Sequence, residues 1–149
     1  MKVGFEFILD NLNDYKILAS ILNQSFLVKN PLRWRIDCAS MIEGNISEGV
    51  FSSSELYKAL QEEVIIDTIR ICGFSEDMDE LLMPLIKTYA DFVNSSCLIL
   101  IRCVDSYYFN VYVKNELIDE LEPMIRMNKL KEFRIVTETT DYCTCLLAF

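Results

Sequence analysis

The sequence predicts an α+β fold in one domain, 1–149, with a mostly antiparallel sheet of about six or seven strands and helices packed on it. Short segments in which apolar residues alternate with polar ones recur along the chain, and this period indicates strands. One such segment, 107–114, follows 97–104, which is apolar on both faces apart from Arg102 as expected of a central strand. The two are joined only by Asp105-Ser106, which is typical of a hairpin turn. Segments with helical spacing lie between other strands, so sheet and helices are expected to share one core.

The first half of the chain predicts three strands and two helices. The strands are expected over 2–9, 33–38 and 64–71, and the helices over 15–26 and 53–62. Ser52 and Glu55 have the spacing of a capping box at the start of the second helix. In the second strand, Trp34 faces opposite to Arg33 and Arg35, so we interpret it as a core aromatic with solvated charges beside it.

The second half predicts an acidic helical turn or short helix, a second short helix, the hairpin, a longer helix and two closing strands. They are expected over 76–83, 89–94, 97–114, 117–125, 133–137 and 143–149. Pro84 ends the acidic turn because proline removes a backbone donor, and Thr88 with Asp91 repeats the capping-box spacing. Asn115 is expected to cap the longer helix, and Pro123 to kink it.

The sequence lacks the residues that several classes of catalytic site need. The chain contains no histidine, which removes the commonest general acid–base, the Ser-His and Cys-His pairs and the commonest zinc ligand. Its four scattered glycines form no phosphate-binding loop. Carboxylates are plentiful enough for a hydrolase pair, but none is marked by its context. We therefore expect no enzymatic activity, no metal and no cofactor.

The cysteines are expected to be reduced core residues. There are six of them, at Cys38, Cys72, Cys97, Cys103, Cys143 and Cys145. Without a secretory signal, free thiols are favoured over disulfides. Cys143 and Cys145 come nearest to a metal or redox motif, but a structural zinc site needs four ligands and the other cysteines are isolated. Core packing is our interpretation of this pair, with a metal or redox role as the alternative.

The chain carries no predicted membrane or export segment. No apolar run approaches the 18 or so residues of a spanning helix, and Glu6 places a charge where a signal peptide would be apolar. We expect a cytoplasmic protein.

The net charge of −9 is concentrated in the middle of the chain, where residues 43–91 carry eleven acidic and three basic residues. Such a field repels nucleic acid and anionic membranes, so neither is expected as a partner. The candidate partner-binding residues are Glu62, Glu63, Glu76, Asp77, Asp79 and Glu80. The strand 64–71 should hold 62–63 and 76–80 roughly 25 Å apart. We favour 76–80 as the docking cluster, with a helix-stabilising role for these acids as the alternative.

One part of the chain is similar to a known family. The segment concerned is Lys87-Thr88-Tyr89-Ala90-Asp91-Phe92-Val93-Asn94-Ser95-Ser96-Cys97-Leu98, continued by 104–107 and 111–114. With the terminal strand ending at Phe149, it resembles a small bacterial family of uncharacterised proteins, domain of unknown function 2691. The resemblance departs over 43–83. It implies this architecture and a bacterial cytoplasmic setting, and it implies no activity because the family has no assigned site.

These observations favour a non-catalytic protein-binding module. One form of it is an immunity- or antitoxin-like protein that neutralises a basic partner by occlusion, because electrostatic steering would speed such an encounter. The alternative is a small-molecule-binding or enzymatic α+β domain with a pocket between sheet and helices. A structural or self-associating protein is a third interpretation that the sequence leaves open.

Overall fold

Seven strands pair into one antiparallel sheet in the computed structural model, which describes residues 2–9, 16–62, 64–106, 108–114, 117–128 and 130–137. The strands are β1 (Lys2–Ile8), β2 (Leu32–Glu43), β3 (Gly49–Ser52), β4 (Ile65–Ser75), β5 (Ile99–Val104), β6 (Tyr108–Val113) and β7 (Lys131–Thr137). The helices are α1 (Ile17–Ile21), α2 (Gln24–Lys29), α3 (Ser53–Leu60), α4 (Tyr89–Val93) and α5 (Leu117–Arg126), with a 3₁₀ turn at Glu80–Leu82. The predicted α+β fold is confirmed. Within the described ranges, no helix is long and apolar enough to cross a membrane.

The strand order is β3-β2-β4-β5-β6-β1-β7, so β5 is central, as predicted. Its Ile101 lies between Ile71 of β4 and Val111 of β6 and has no exposed surface. The turn into β6 has φ values of 54° at Asp105 and 72° at Ser106. Short polar residues tolerate these left-handed values better than most, which explains why this dipeptide marks the hairpin.

Helices α1, α2, α3 and α5 cover one face of the sheet and bury most of its aromatic residues there. Trp34 is fully buried on this face, and its Nε1 donates to Ser53 Oγ at 3.0 Å. A Cβ on Gly73, which is its cross-strand partner, would lie 2.8 Å from the indole. Glycine at this position therefore makes room for the ring, and the prediction of a core tryptophan is confirmed.

The opposite face of the sheet has an apolar set of its own, and the chain between β4 and β5 covers it. We call residues 76–98 the covering segment. The buried residues of this second core are Val3, Cys72, Phe74, Ile86, Phe92, Cys97, Leu100, Tyr112 and Val136. Because β4 and β5 are apolar on both faces, removal of the covering segment would expose this set to water.

Three elements differ from the prediction. The helix expected over 15–26 is two helices, because the Asn23 side chain accepts a hydrogen bond from the Phe26 amide and starts α2 anew. β3 lies between the predicted elements 33–38 and 53–62, where no strand is predicted, and it extends the sheet by pairing with β2. The acidic turn expected over 76–83 is only the 3₁₀ turn.

The cysteine prediction is confirmed at three positions and wrong at one. Cys72, Cys97 and Cys103 are free and buried, whereas Cys38 is exposed. Cys38 has a φ of 52° at a bulge in β2, which runs on to Glu43 beyond its predicted end. Cys143, Cys145, the strand predicted over 143–149 and the cap at 115 lie outside the described residues.

The central position of β5 leads to a stability prediction. Ile101→Ala should lower the free energy of unfolding by about 2–4 kcal/mol, because it leaves a cavity between two strands. Urea denaturation measures this, and Val93→Ala is the matched control because Val93 is 48% exposed. A loss below about 1 kcal/mol for Ile101→Ala would show that β5 does not carry the core.

Candidate functional site

The four acidic residues of the favoured cluster lie directly after β4, at the start of the covering segment. They are exposed, and they are Glu76, Asp77, Asp79 and Glu80. Asp79 Oδ1 accepts a hydrogen bond from the Leu81 amide at 2.9 Å and so caps the 3₁₀ turn. Asp77 Oδ1 accepts one from Ser75 Oγ at 2.5 Å. Asp79 therefore shapes the local backbone, Asp77 is held by a neighbouring side chain, and both keep their carboxylates at the surface.

The two acidic clusters do not form one surface. Glu62 follows α3 and precedes β4, and Glu76 follows the other end of the same strand. β4 has 11 residues, which at strand rise separates its ends by roughly 35 Å. Glu63 lies outside the described residues. We therefore restrict the candidate site to the cluster over 76–80.

Three leucines that follow the acids point towards solvent. Leu81 is 87% exposed, Leu82 72% and Leu85 54%. Residues of the same stretch pack inward on the second core, namely Met78, Met83 and Ile86. The stretch therefore has two sides. Met78, Met83 and Ile86 fill the inward positions, and the three leucines face solvent. Clustered exposed apolar residues with a polar rim are typical of interaction sites.

We call the exposed members of this stretch the acidic–leucine surface. It consists of Glu76, Asp77, Asp79, Glu80, Leu81, Leu82 and Leu85. The sequence reasoning found its acids from their density. It did not find the leucines, because apolar residues next to a predicted helical turn are expected to be buried.

Two arginines of β2 hold the acidic–leucine surface in place from beneath. Arg33 Nη1 donates to the Met78 carbonyl at 3.1 Å. Arg35 donates from its two terminal nitrogens to the carbonyls of Met83, at 3.2 Å, and Pro84, at 2.5 Å. The interpretation of these arginines as solvated charges is wrong for Arg35, whose side chain is only 16% exposed. Charged donors to backbone carbonyls fix the course of the chain.

The far end of the covering segment is fixed as well. The Asp91 carboxylate accepts hydrogen bonds from the amides of Lys87 and Thr88, and these bonds lower the pKa of Asp91. Thr88 Oγ1 in turn accepts from the Asp91 amide, so the predicted capping box is confirmed. Lys114, the residue after β6, donates to the Ser95 carbonyl and lies 4.9 Å from the centre of the Phe92 ring. The acidic–leucine surface is therefore carried by a segment held at both ends.

A cavity of about 390 Å³ adjoins the acidic–leucine surface. It opens between β3, the start of α3 and Glu76, at the rim of the sheet rather than between sheet and helices. Glu55 lines it as well and brings a further carboxylate near Glu76. Hydrogen bonds from the backbone and side chain of Ser52 lower the pKa of Glu55. The sequence alone gave no signal for this neighbourhood, because α3 and the end of β4 are distant along the chain.

A row of polar side chains crosses the sheet on the same face as the covering segment. Its members are successive cross-strand partners on six strands, namely Asp37, Arg70, Arg102, Asn110, Glu6 and Arg134. Arg70 Nε donates to Asp37 at 2.5 Å, and Asn110 donates to Glu6 at 3.0 Å. A register slip by one residue would turn these charges into the helix-covered core. We therefore assign the row to the definition of strand register.

Comparison with known proteins assigns the chain to one family. A family model described as protein of unknown function (DUF2691) matches residues 2–147. Comparison with curated proteins and with solved structures finds no match. In the described part of the chain, no group of three or more His, Cys, Asp or Glu residues could hold a metal ion.

Removal of the Arg35 anchor should loosen the acidic–leucine surface. Arg35→Met keeps the length of the side chain but removes both donors, so the stretch around Met83 and Pro84 should open more often. Limited proteolysis with a glutamyl endopeptidase should then cut after Glu80 about ten-fold faster, as expected for a loss of about 1.4 kcal/mol in the opening free energy. Lys58→Met, an exposed change on α3, is the control. Equal cleavage rates in wild type and Arg35→Met would show that Arg35 does not hold the segment.

Proposed function

Since the chain belongs to the DUF2691 family of proteins of unknown function, we propose its role from the geometry of the surface: a non-catalytic module that binds a basic protein through the acidic–leucine surface. The observation that carries this proposal is the outward exposure of Leu81, Leu82 and Leu85 on a backbone that Arg33 and Arg35 hold in place. Exposed leucines cost solvation free energy in the free protein, and a partner that covers them recovers it.

The fixed backbone favours tight association. A loop that must become ordered on binding loses conformational entropy at that moment, and a segment that is already ordered loses less. The inward Met78, Met83 and Ile86 and the arginine bonds hold the leucines in one arrangement before any encounter. The acidic–leucine surface therefore supports recognition by shape as well as by charge.

The chemistry of the surface supports one kind of partner. Three protruding aliphatic side chains fit an apolar hollow, and four carboxylates beside them fit a rim of Lys or Arg residues. The net charge of −9 adds long-range attraction to a cationic protein. The partner is thus a basic protein with an apolar hollow in its basic face.

One biological form of this module is an immunity-type protein that occludes a basic toxin in the bacterial cytoplasm. Occlusion needs a complementary surface and no catalytic group, and the acidic–leucine surface meets that requirement. Steering makes association fast, and burial of the leucines makes dissociation slow. The family resemblance of 87–114 supports this setting.

Neutralisation of the acids should slow association with such a partner. The variant Glu76→Gln, Asp77→Asn, Asp79→Asn, Glu80→Gln keeps an oxygen acceptor at each position, so the cap at Leu81 can persist. A control variant with the same change in net charge elsewhere is Glu43→Gln, Glu62→Gln, Asp105→Asn, Asp119→Asn. Proteins retained from bacterial lysate by wild type and both variants are compared, and the association rate of the retained basic protein is then measured at two salt concentrations.

We expect the first variant to associate about ten-fold more slowly at low salt, with a flatter salt dependence, and the control to resemble wild type. A third variant, Leu81→Ala, Leu82→Ala, Leu85→Ala, should instead speed dissociation by about ten-fold or more, because it removes buried apolar area. A basic partner whose kinetics are the same for wild type and for the acid and leucine variants would refute the proposed surface. A drop in melting temperature without a change in kinetics would assign the acids to local stability alone.

A further inference from the structure

Two cysteines stand at the two ends of the covering segment. Cys72 lies on β4 just before the segment begins, and Cys97 lies just before β5 starts. Both have no exposed surface, and both belong to the second core beneath the segment. The segment that carries the acidic–leucine surface is therefore bracketed by a pair of buried thiols.

The backbone brings these two cysteines together. The Leu98 amide donates to the Gly73 carbonyl at 2.8 Å, so the residues next to each cysteine are hydrogen-bonded neighbours. Both side chains lie in the same buried cluster, where each thiol shifts the pKa of the other, and Cys97 Sγ lies 3.2 Å from the Ile99 carbonyl oxygen. A disulfide requires sulfur atoms that can approach to bonding distance from adjacent backbone positions.

We propose that Cys72 and Cys97 form a reversible disulfide that fixes both ends of the covering segment when the protein meets a peroxide. The bond would join the end of β4 to the start of β5 and close a loop that contains the whole acidic–leucine surface. Free Cys103 is equally buried but lies in the first core, so it is not part of the pair.

The reaction balances with hydrogen peroxide as the oxidant. The Cys72 thiolate attacks one peroxide oxygen, the O–O bond breaks, and the departing hydroxide takes up the proton that Cys72 released and becomes water. Cys97 sulfur then attacks the resulting sulfenic acid at Cys72, the S–O bond breaks, and the Cys97 proton leaves with the hydroxyl group as a second water. Two thiols thus lose two electrons, and one peroxide is reduced to two waters.

Cys72 is the first nucleophile in this sequence. Its interaction with the Cys97 thiol lowers the pKa of Cys72, whereas the same interaction and burial raise the pKa of Cys97. Because both thiols are buried, the first step requires local opening of the covering segment, so oxidation is slow compared with that of an exposed thiol. The disulfide would then prevent the segment from detaching again.

The effect on binding rests on the proposed function. A closed loop reduces the freedom that the acidic–leucine surface would otherwise lose on docking. The oxidised protein should therefore hold its basic partner longer than the reduced protein does. Formation of the bond itself requires no partner, so the two proposals fail separately.

The test is peroxide treatment of the full-length protein, followed by alkylation, trypsin digestion without reductant and mass spectrometry. Trypsin cuts after Arg70, Lys87 and Arg102, so the disulfide would join peptides 71–87 and 88–102. We expect this cross-linked species together with a melting temperature raised by roughly 5–10 °C, as for a loop of this length. Dithiothreitol should reverse both changes.

Variants separate this pair from the other cysteines. Cys72→Ala and Cys97→Ala should each abolish the cross-link and the shift in melting temperature, whereas Cys103→Ala, at an equally buried position, should retain both. If a variant fails to fold, the cross-linked peptides of the wild-type protein still show whether Cys72 and Cys97 are joined. Peroxide treatment that leaves both thiols alkylatable, or that joins either of them to a different peptide, would overturn the proposal. If the cross-link forms but no partner uses the surface, only the proposed function fails.

Discussion

The constraint on which the structure depends is that its central strands are apolar on both faces. Antiparallel sheets commonly leave one face to water, but Cys72, Phe74 and Leu100 make that costly here. The four helices cover the first face, and the chain has to cover the second with what lies between β4 and β5. The covering segment fulfils this role. Its inward residues belong to the second core, so the segment is part of the packing of the domain and not a surface loop.

The anchoring of that segment follows from the alternation of side chains along β2. Since Trp34 faces the helices, Arg33 and Arg35 on either side of it must face the covering segment, where its backbone carbonyls accept their hydrogen bonds. The inward side of the segment is filled by the second core and the two guanidinium groups. Leucines over 81–85 then remain outside, so the proposed docking surface is a consequence of how the sheet is covered.

Patterns among residues that are close in the sequence predict much of the fold. Features that depend on contacts between distant segments could not be predicted in this way. The capping boxes at Ser52 and Thr88 and the Asp105-Ser106 turn depend on residues a few positions apart, and each lies where the sequence predicts it. β3 was missed because its four residues form a strand only through pairing with β2. The candidate acids could be named from their density. Exposure of the leucines and the position of Glu55 depend on contacts between distant segments, which no local pattern records.

The account's central claim is that the acidic–leucine surface is ordered in the free protein and is the part that a basic partner covers. Amide hydrogen exchange of the protein alone and in complex with that partner tests both halves at once. We predict slow exchange over 82–94 in the free protein, additional protection over 79–86 in the complex, and no change around Glu62. Fast exchange over 82–94 before binding, or protection that appears only on the helix-covered side at α1 and α5, would contradict the account.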